Sequence, residues 1–391
     1  MTEDAPAAQR APVVRTLLVS NDFLPQVGGI QQYTDNILCR LPNASAFVAA
    51  HPEAATHDRD AKYPVVRSSS RYMFPTAATA RELEAAVEQT GADVLLFATP
   101  WPLVSLGRRL DMPTAVCTHG AELIMPARIP GARALLARDL RAADVVYSVS
   151  RNTGNHVRKL VGDDGPPVRL LRAGAPLEQF TPDADGQAVR ARYDLDGHPV
   201  VACVGRLVKR KGQDVLVEAW LRVREAIPEA RLLLVGDGPL RHDLAAAAAR
   251  QPAGAVTLTG RVPWDELPAH HAAADVFAHP NRARWLGFES EGFGVIFLEA
   301  QSVGRPVIAG DSGGAPEALI PGRTGLLVDG SSVDDVASVI IELLSDPARC
   351  RQMGAAGRRF VEEQFDPEVI VARLDDDLAA LAAGRRLEAE L

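Results

Sequence analysis

Cysteine is scarce in this chain. Cys39, Cys117, Cys203 and Cys350 are the only four in 391 residues, they form no CxxC pair, and no histidine cluster stands near them at ligand spacing. This excludes a disulfide scaffold and a structural zinc module, and makes a reduced cytosol the simplest compartment. No uninterrupted apolar run approaches membrane-spanning length. The first residues, Met1 to Ala11, are polar and rich in alanine and proline without an apolar stretch, so a standard signal peptide is not expected. A basic excess is missing as well: the net charge is −8, which argues against a dedicated nucleic-acid partner. There is no GxGxxG, which weakens any reading as an NAD or FAD dehydrogenase.

What is present is an ordinary globular composition, 47% apolar and 24% charged, over a length sufficient for roughly two or three domains. Short apolar or β-branched runs alternate with helical stretches: Val13 to Val19, Val94 to Ala98, Thr114 to Thr118 and Val145 to Val149. A Pro/Gly/Asp-rich stretch from Gly174 to Gly186 follows, and the pattern then restarts at Val200 to Val204, Leu232 to Val235, Val256 to Leu258, Val276 to Ala278, Val307 to Ala309 and Leu326 to Val328. Buried parallel strands read this way, so the chain is expected to be α/β, with two successive doubly wound Rossmann-like domains over 12–185 and 186–370. The stretch from Pro367 onward reads as helix. Whether its last part, about 371–391, packs back on the first domain is a matter for tertiary structure. Strands ending in Val204-Gly205, Val235-Gly236-Asp237-Gly238 and Ala309-Gly310-Asp311 place ligand-facing loops at the carboxyl edge of the second sheet.

Glu291-Gly292-Phe293-Gly294-Val295-Ile296-Phe297-Leu298-Glu299 carries two carboxylates eight positions apart around a glycine-bounded turn entering an apolar helix. Free N–H groups at such a helix start favour a phosphate. Gly28-Gly29, in the first strand-to-helix loop, forms either a phosphate cradle or a plain tight turn. Arg206 and Lys211 frame a basic loop directly after a strand: a planar fork and a point charge, suited to a diphosphate, against the alternative of a solvated charge run. His119 ends a strand and can reach a cleft, or can be a satisfied structural histidine. His270 and His271 read as surface or packing residues. Arg128, Arg133, Arg138 and Arg141, interleaved with Ile129, Ala132, Leu135, Leu136 and Leu140, form a basic amphipathic segment that fits either an anionic bilayer surface or an ordinary surface helix. Asp375-Asp376-Asp377 reads as a solvated acidic helix face.

Taken together these segments resemble the retaining family 4 glycosyltransferases of GT-B architecture. The resemblance spans most of the chain: Gly28-Gly29, His119-Gly120, Gly205-Arg206 with Lys211-Gly212, Gly236-Asp237-Gly238, Glu291 to Glu299, and Pro306-Val307-Ile308 leading to Gly313-Gly314-Ala315-Pro316-Glu317. The runs at 206–214, 298–301 and 308–317 most resemble the branch of GDP-mannose-dependent phosphatidylinositol mannoside α-mannosyltransferases. The resemblance implies a nucleotide-sugar donor whose diphosphate is held by Arg206 and Lys211, whose ribose is bonded by Glu299, and whose base rests near Arg261 and Val262. Glu291 and the backbone from Gly292 through Phe293 and Gly294 to Val295 would hold the sugar, His119 would contact it, and Gly28 and Gly29 would lie beside the phosphates and acceptor. His119, Arg206, Lys211 and Glu291 are the expected catalytic set.

The acceptor would be a phosphatidylinositol mannoside or related glycolipid, reached at the inner face of the plasma membrane. No metal cofactor is expected, since cationic side chains and backbone amides take that electrostatic role. Two departures fall near the acceptor and linker: Ala121 stands where the branch carries a second histidine, and Gly174-Ala175-Pro176 where members often carry Gly-Val-Asp. Another nucleotide sugar and acceptor, or a sugar-nucleotide epimerase needing acid/base groups about a sugar carbon, are the alternative readings.

Overall fold

The computed structural model describes residues 13–26, 28–285 and 289–391. The segment Met1 to Ala11, on which the signal-peptide expectation rests, lies outside the described residues, as does Val27 of the first loop.

Two parallel sheets form the frame. The first holds β1 (Thr16–Ser20), β2 (Ala44–Val48), β3 (Val65–Arg67), β4 (Val94–Phe97), β5 (Thr114–Thr118), β6 (Val145–Ser148) and β7 (Val168–Leu170), in the order β3-β2-β1-β4-β5-β6-β7. The second holds β8 (Val200–Val204), β9 (Arg231–Val235), β10 (Val256–Gly260), β11 (Val276–His279), β12 (Val307–Gly310) and β13 (Gly325–Val328), in the order β10-β9-β8-β11-β12-β13. Every run read as a strand is one. The three unread strands explain themselves: β3 and β7 are three-residue edges, and β2, Ala-Ser-Ala-Phe-Val, is fully buried but poor in β-branched residues.

In both sheets the strand order reverses beside the first strand, between β1 and β4 and between β8 and β11. Ligands of open α/β sheets bind at the carboxyl side of that reversal. The loops 21–26 and Gly205–Gly212 open there.

Helices cover both faces. Gln213–Ala226 presents Leu216, Ala219, Trp220 and Val223 at helical spacing, all buried. Burial of a side chain such as Leu216 or Val223 contributes roughly 2 kcal/mol. The helix stops before Pro228, which disfavours a helical conformation at the preceding Ile227.

The C-terminal helix Pro367–Ala382 returns to the first lobe. Tyr147 of β6 donates its hydroxyl to Asp377 at 2.9 Å, Arg169 lies 2.9 Å from the same carboxylate, and Arg40 pairs with Glu368 at 2.7 Å. This corrects the reading of Asp375–Asp377 as a wholly solvated face. Asp376 is exposed, but Asp377 is buried and anchors the helix, because the turn after Leu374 rotates it against β6. Where the chain crosses between lobes the two strands of linker are bonded, the Ala175 amide to the Phe365 carbonyl at 2.9 Å.

Candidate active site

The helix Val295–Ser302 starts at Gly294, whose φ of 93° lies in the left-handed region that only glycine adopts without strain. No side chain caps this start, so its first N–H groups stay available to an anion. Immediately before it, Glu291 Oε2 accepts from Lys211 Nζ at 2.7 Å and from Arg210 at 2.9 Å. Lys209–Lys211 is a single 3₁₀ turn following β8, which fans Arg210 and Lys211 toward the same carboxylate. Burial pushes the Glu291 carboxyl up, but Lys211 and Arg210 outweigh it and hold its pKa at about 2. His279, at the end of β11, is buried with neither ring nitrogen bonded. Burial, assisted by Lys211, pushes its pKa down to about 3. A neutral imidazole therefore sits in this group, and the net positive charge stays on Arg210 and Lys211.

The same segment touches the other lobe. A Cβ at Gly292 would fall 2.1 Å from the carbonyl oxygen of His119, so only glycine permits this approach. His119 follows β5, and its Nε2 lies 2.9 Å from the Ala98 carbonyl, to which it donates. In the neutral ring this leaves Nδ1 as an acceptor. Tyr33 stacks edge-on at 4.9 Å, and Glu122 accepts from the His119 and Gly120 amides.

Across the lobes, Glu317 accepts from the Arg151 and Asn152 amides at 2.9 and 3.0 Å. These are the first N–H groups of the helix Arg151–Val161, where a carboxylate is favoured. Two charge-assisted bonds of this kind tie the lobes together in this arrangement. Glu317→Ala is expected to reduce the closed population roughly tenfold, read as a larger radius of gyration by small-angle scattering. An unchanged radius would remove the latch role.

The structure thus joins Lys211, Glu291, Gly292 and His119. Gly28 and Gly29 open the helix Gly29–Leu38, and no atom lies within 4 Å of a Cβ built on Gly29. Phe293 is buried with its ring 5.6 Å from that of Phe365, and Val295 begins the helix. Glu299 is buried. Its Oε2 lies 3.3 Å from His271 Nε2 yet has no aligned hydrogen-bond donor. Arg206 is exposed after β8, and Arg261 and Val262 follow β10 on the same sheet edge; none of the three bonds Glu291 among the described residues.

The sequence reading passed over Arg210, although it stands in the quoted basic run, and gave no role to His279. His270 and His271 are packing residues, both buried, and His271 additionally faces Glu299. The basic segment divides: Leu136 and Leu140 are buried and Arg141 bonds the Val161 carbonyl, whereas Met125 and Ile129 are each 61% exposed and Leu135 is 36% exposed. Among the described residues no group of three or more His, Cys, Asp and Glu converges as metal ligands, and no helix is long and apolar enough to cross a membrane.

Residues 27–179 match the family described as Glycosyltransferase Family 4, and residues 187–360 match Glycosyl transferases group 1. The GDP-mannose-dependent alpha-(1-6)-phosphatidylinositol monomannoside mannosyltransferase of Mycobacterium tuberculosis is 40% identical, over 95% of this chain and 100% of its own length. A GDP-mannose-dependent monoacylated alpha-(1-6)-phosphatidylinositol monomannoside mannosyltransferase of Corynebacterium glutamicum is 37% identical, over 93% of this chain and 97% of its own. Among solved structures, Anabaena Alr3699/HepE in complex with UDP superposes with a TM-score of 0.79 at 20% identity, covering 94% of this chain and 100% of that one. Sucrose-phosphate synthase of Thermosynechococcus elongatus gives 0.74 at 24% identity, covering 95% and 100%. At these identities the structural likeness concerns the fold, two Rossmann-like lobes facing a cleft.

Proposed function

This chain belongs to glycosyltransferase family 4, and from that premise we propose that it is a retaining α-mannosyltransferase moving mannose from GDP-mannose to a phosphatidylinositol mannoside. The observation that carries the site assignment is the union of Lys211, Arg210 and Glu291 beside the uncapped helix start after Gly294. Donor and acceptor identity rest on the likeness to the mycobacterial and corynebacterial enzymes.

In this reading Lys211, Arg206 and the helix N–H groups receive the donor diphosphate. Fixed donors of this type stabilise charge developing on the leaving group, each by about 3 kcal/mol. The anomeric C–O bond breaks toward that phosphate, and the acceptor hydroxyl attacks from the same face. A leaving phosphate oxygen takes its proton. His119 Nδ1 accepts from a sugar hydroxyl, and Glu291 holds others once the incoming diphosphate shares its cations. The unsatisfied oxygen of buried Glu299 accepts from the ribose. Arg261 and Val262 border the base. The charge stabilisation in this scheme comes from side chains and amides, without a metal.

A peripheral position on the inner membrane face is supported by one surface of the first lobe. Exposed Met125, Ile129 and Leu135 stand among Arg128, Arg133 and Arg138, and exposed Phe74, with Tyr72 against it, shares a cavity wall with Leu135 and Arg138. A cavity of about 590 Å³ lined by Phe74, Trp101, Arg108, Arg109 and Leu135 opens there. Such a mixture suits an anionic lipid surface.

The test is product analysis with GDP-mannose, UDP-glucose and UDP-N-acetylglucosamine against a phosphatidylinositol monomannoside, with sedimentation on anionic liposomes at low salt. Transfer only from GDP-mannose, giving a dimannoside, is expected. Transfer from a uridine donor alone would overturn the donor assignment, and no liposome binding would remove the membrane assignment.

A further inference from the structure

The face of the second lobe opposite the cleft holds a cavity of about 710 Å³, within the size range of small-molecule sites. It lies at the amino ends of β8, β11 and β12, where His198 precedes β8, Asp275 precedes β11 and Arg305 precedes β12. Arg190, Arg351 and Arg358 complete its charged lining. Four arginines thus face one carboxylate.

Much of that charge is already engaged, and what is left over points to a ligand. Arg190 pairs with Asp275 at 2.9 Å, and Arg358 pairs with Glu362 at 2.7 Å. Arg305 donates one nitrogen to the Ala272 carbonyl at 2.8 Å, but its buried Nε has no partner. Among the described residues no carboxylate lies within ion-pair distance of it. Burial, with Arg190 nearby, pushes its pKa down against the opposing pull of the Asp275 carboxylate. His198 is the second unsatisfied donor. Its Nε2 lies 3.4 Å from Arg231, which can only donate, so the ring proton sits on Nδ1, and Nδ1 is buried without an acceptor. A buried donor left unpaired costs about 1–3 kcal/mol.

Pro347, Cys350 and Arg351, in the first turns of the helix Pro347–Gln364, line the cavity, and the Asp346 carboxylate caps that helix start by accepting from the Arg349 amide at 2.9 Å, so the backbone adds little to the positive field of the arginines. The Leu343 carbonyl at the end of the preceding helix is taken by the Asp346 amide and the Cys350 thiol. It is therefore not an unsatisfied acceptor facing an anion.

We propose that this cavity is a second binding site, distinct from the cleft, for a phosphate-bearing small molecule. Its phosphate is received among the cavity-lining side chains of Arg305, His198 and Arg351, the last of which supplies countercharge at the exposed rim. The site does not depend on the donor assigned to the cleft.

Inorganic phosphate is the probe, titrated into the full chain at constant ionic strength and followed by calorimetry, with chloride as the control. Saturable binding is expected in the wild type. Arg351→Glu, on an exposed residue, is expected to weaken it roughly tenfold or more, whereas Arg206→Ala in the cleft leaves it intact. Arg305→Gln, which retains a donor for the Ala272 carbonyl, is expected to weaken it as well. Heat matched by chloride, equal affinity in Arg351→Glu and wild type, or loss in Arg206→Ala with retention in Arg351→Glu would each overturn the proposal.

Discussion

Lys211→Ala is expected to lower kcat by roughly two to three orders of magnitude and to lower stability as well. Its ammonium is 2.7 Å from Glu291, and both side chains are only 12% exposed. Removing it takes away a fixed cation at the diphosphate and leaves a buried carboxylate with Arg210 alone, a loss of about 1–3 kcal/mol. The sequence presents Lys211 and Arg206 as one diphosphate-binding pair. The structure separates them: Arg206 is exposed, so Arg206→Ala is expected to lose activity with an unchanged Tm.

Acid unfolding supplies a second readout. Glu291 has its pKa held at about 2 in the folded protein, against an ordinary 4.5. A depressed folded value means that its contribution is present above pH 4.5 and is lost as pH falls from there toward 2. In Lys211→Ala the folded value moves back toward 4.5, and that part of the acid sensitivity shrinks. A full Tm and a wild-type acid profile in Lys211→Ala would separate the lysine from Glu291.

Gly292→Ala is expected to reduce transfer roughly a hundredfold while GDP binding is retained. The added methyl would lie 2.1 Å from the His119 carbonyl, a backbone atom of the other lobe that no rotamer change can move. The lobes must part, and a displacement of about 1 Å between reacting groups is enough to cost two orders of magnitude. GDP is assigned mainly to the second lobe, through Arg206, Lys211, Arg261, Val262 and Glu299, so its affinity measures chiefly that lobe's integrity, while scattering measures the opening. Loss of transfer together with loss of GDP binding would place the damage in the helix start. Unchanged transfer would show that this closed approach is not used in the reaction.

Much of the frame was legible because burial imprints itself locally. A strand covered on both faces, such as Thr114–Thr118 or Val200–Val204, reads as a continuous apolar run, and the glycines that follow mark where it turns. β2 escaped this reading because Ala and Ser fill its positions, and their burial depends on neighbours distant in sequence. Asp377 escaped it for the complementary reason: three adjacent aspartates look solvated until Tyr147 and Arg169 are brought against one of them.

The chain's local pattern by itself determined two α/β lobes, the carboxyl-edge loops and the residue types able to meet a diphosphate, since periodicity and turn chemistry act over a few residues. Only the tertiary structure decided that Arg210 joins Lys211 on Glu291, that His271 faces Glu299, and that Glu317 reaches the helix at Arg151. Those contacts join residues far apart along the chain. Their formation follows from strand order, which sets β8 beside β11, and from lobe closure, which brings His119 onto Gly292.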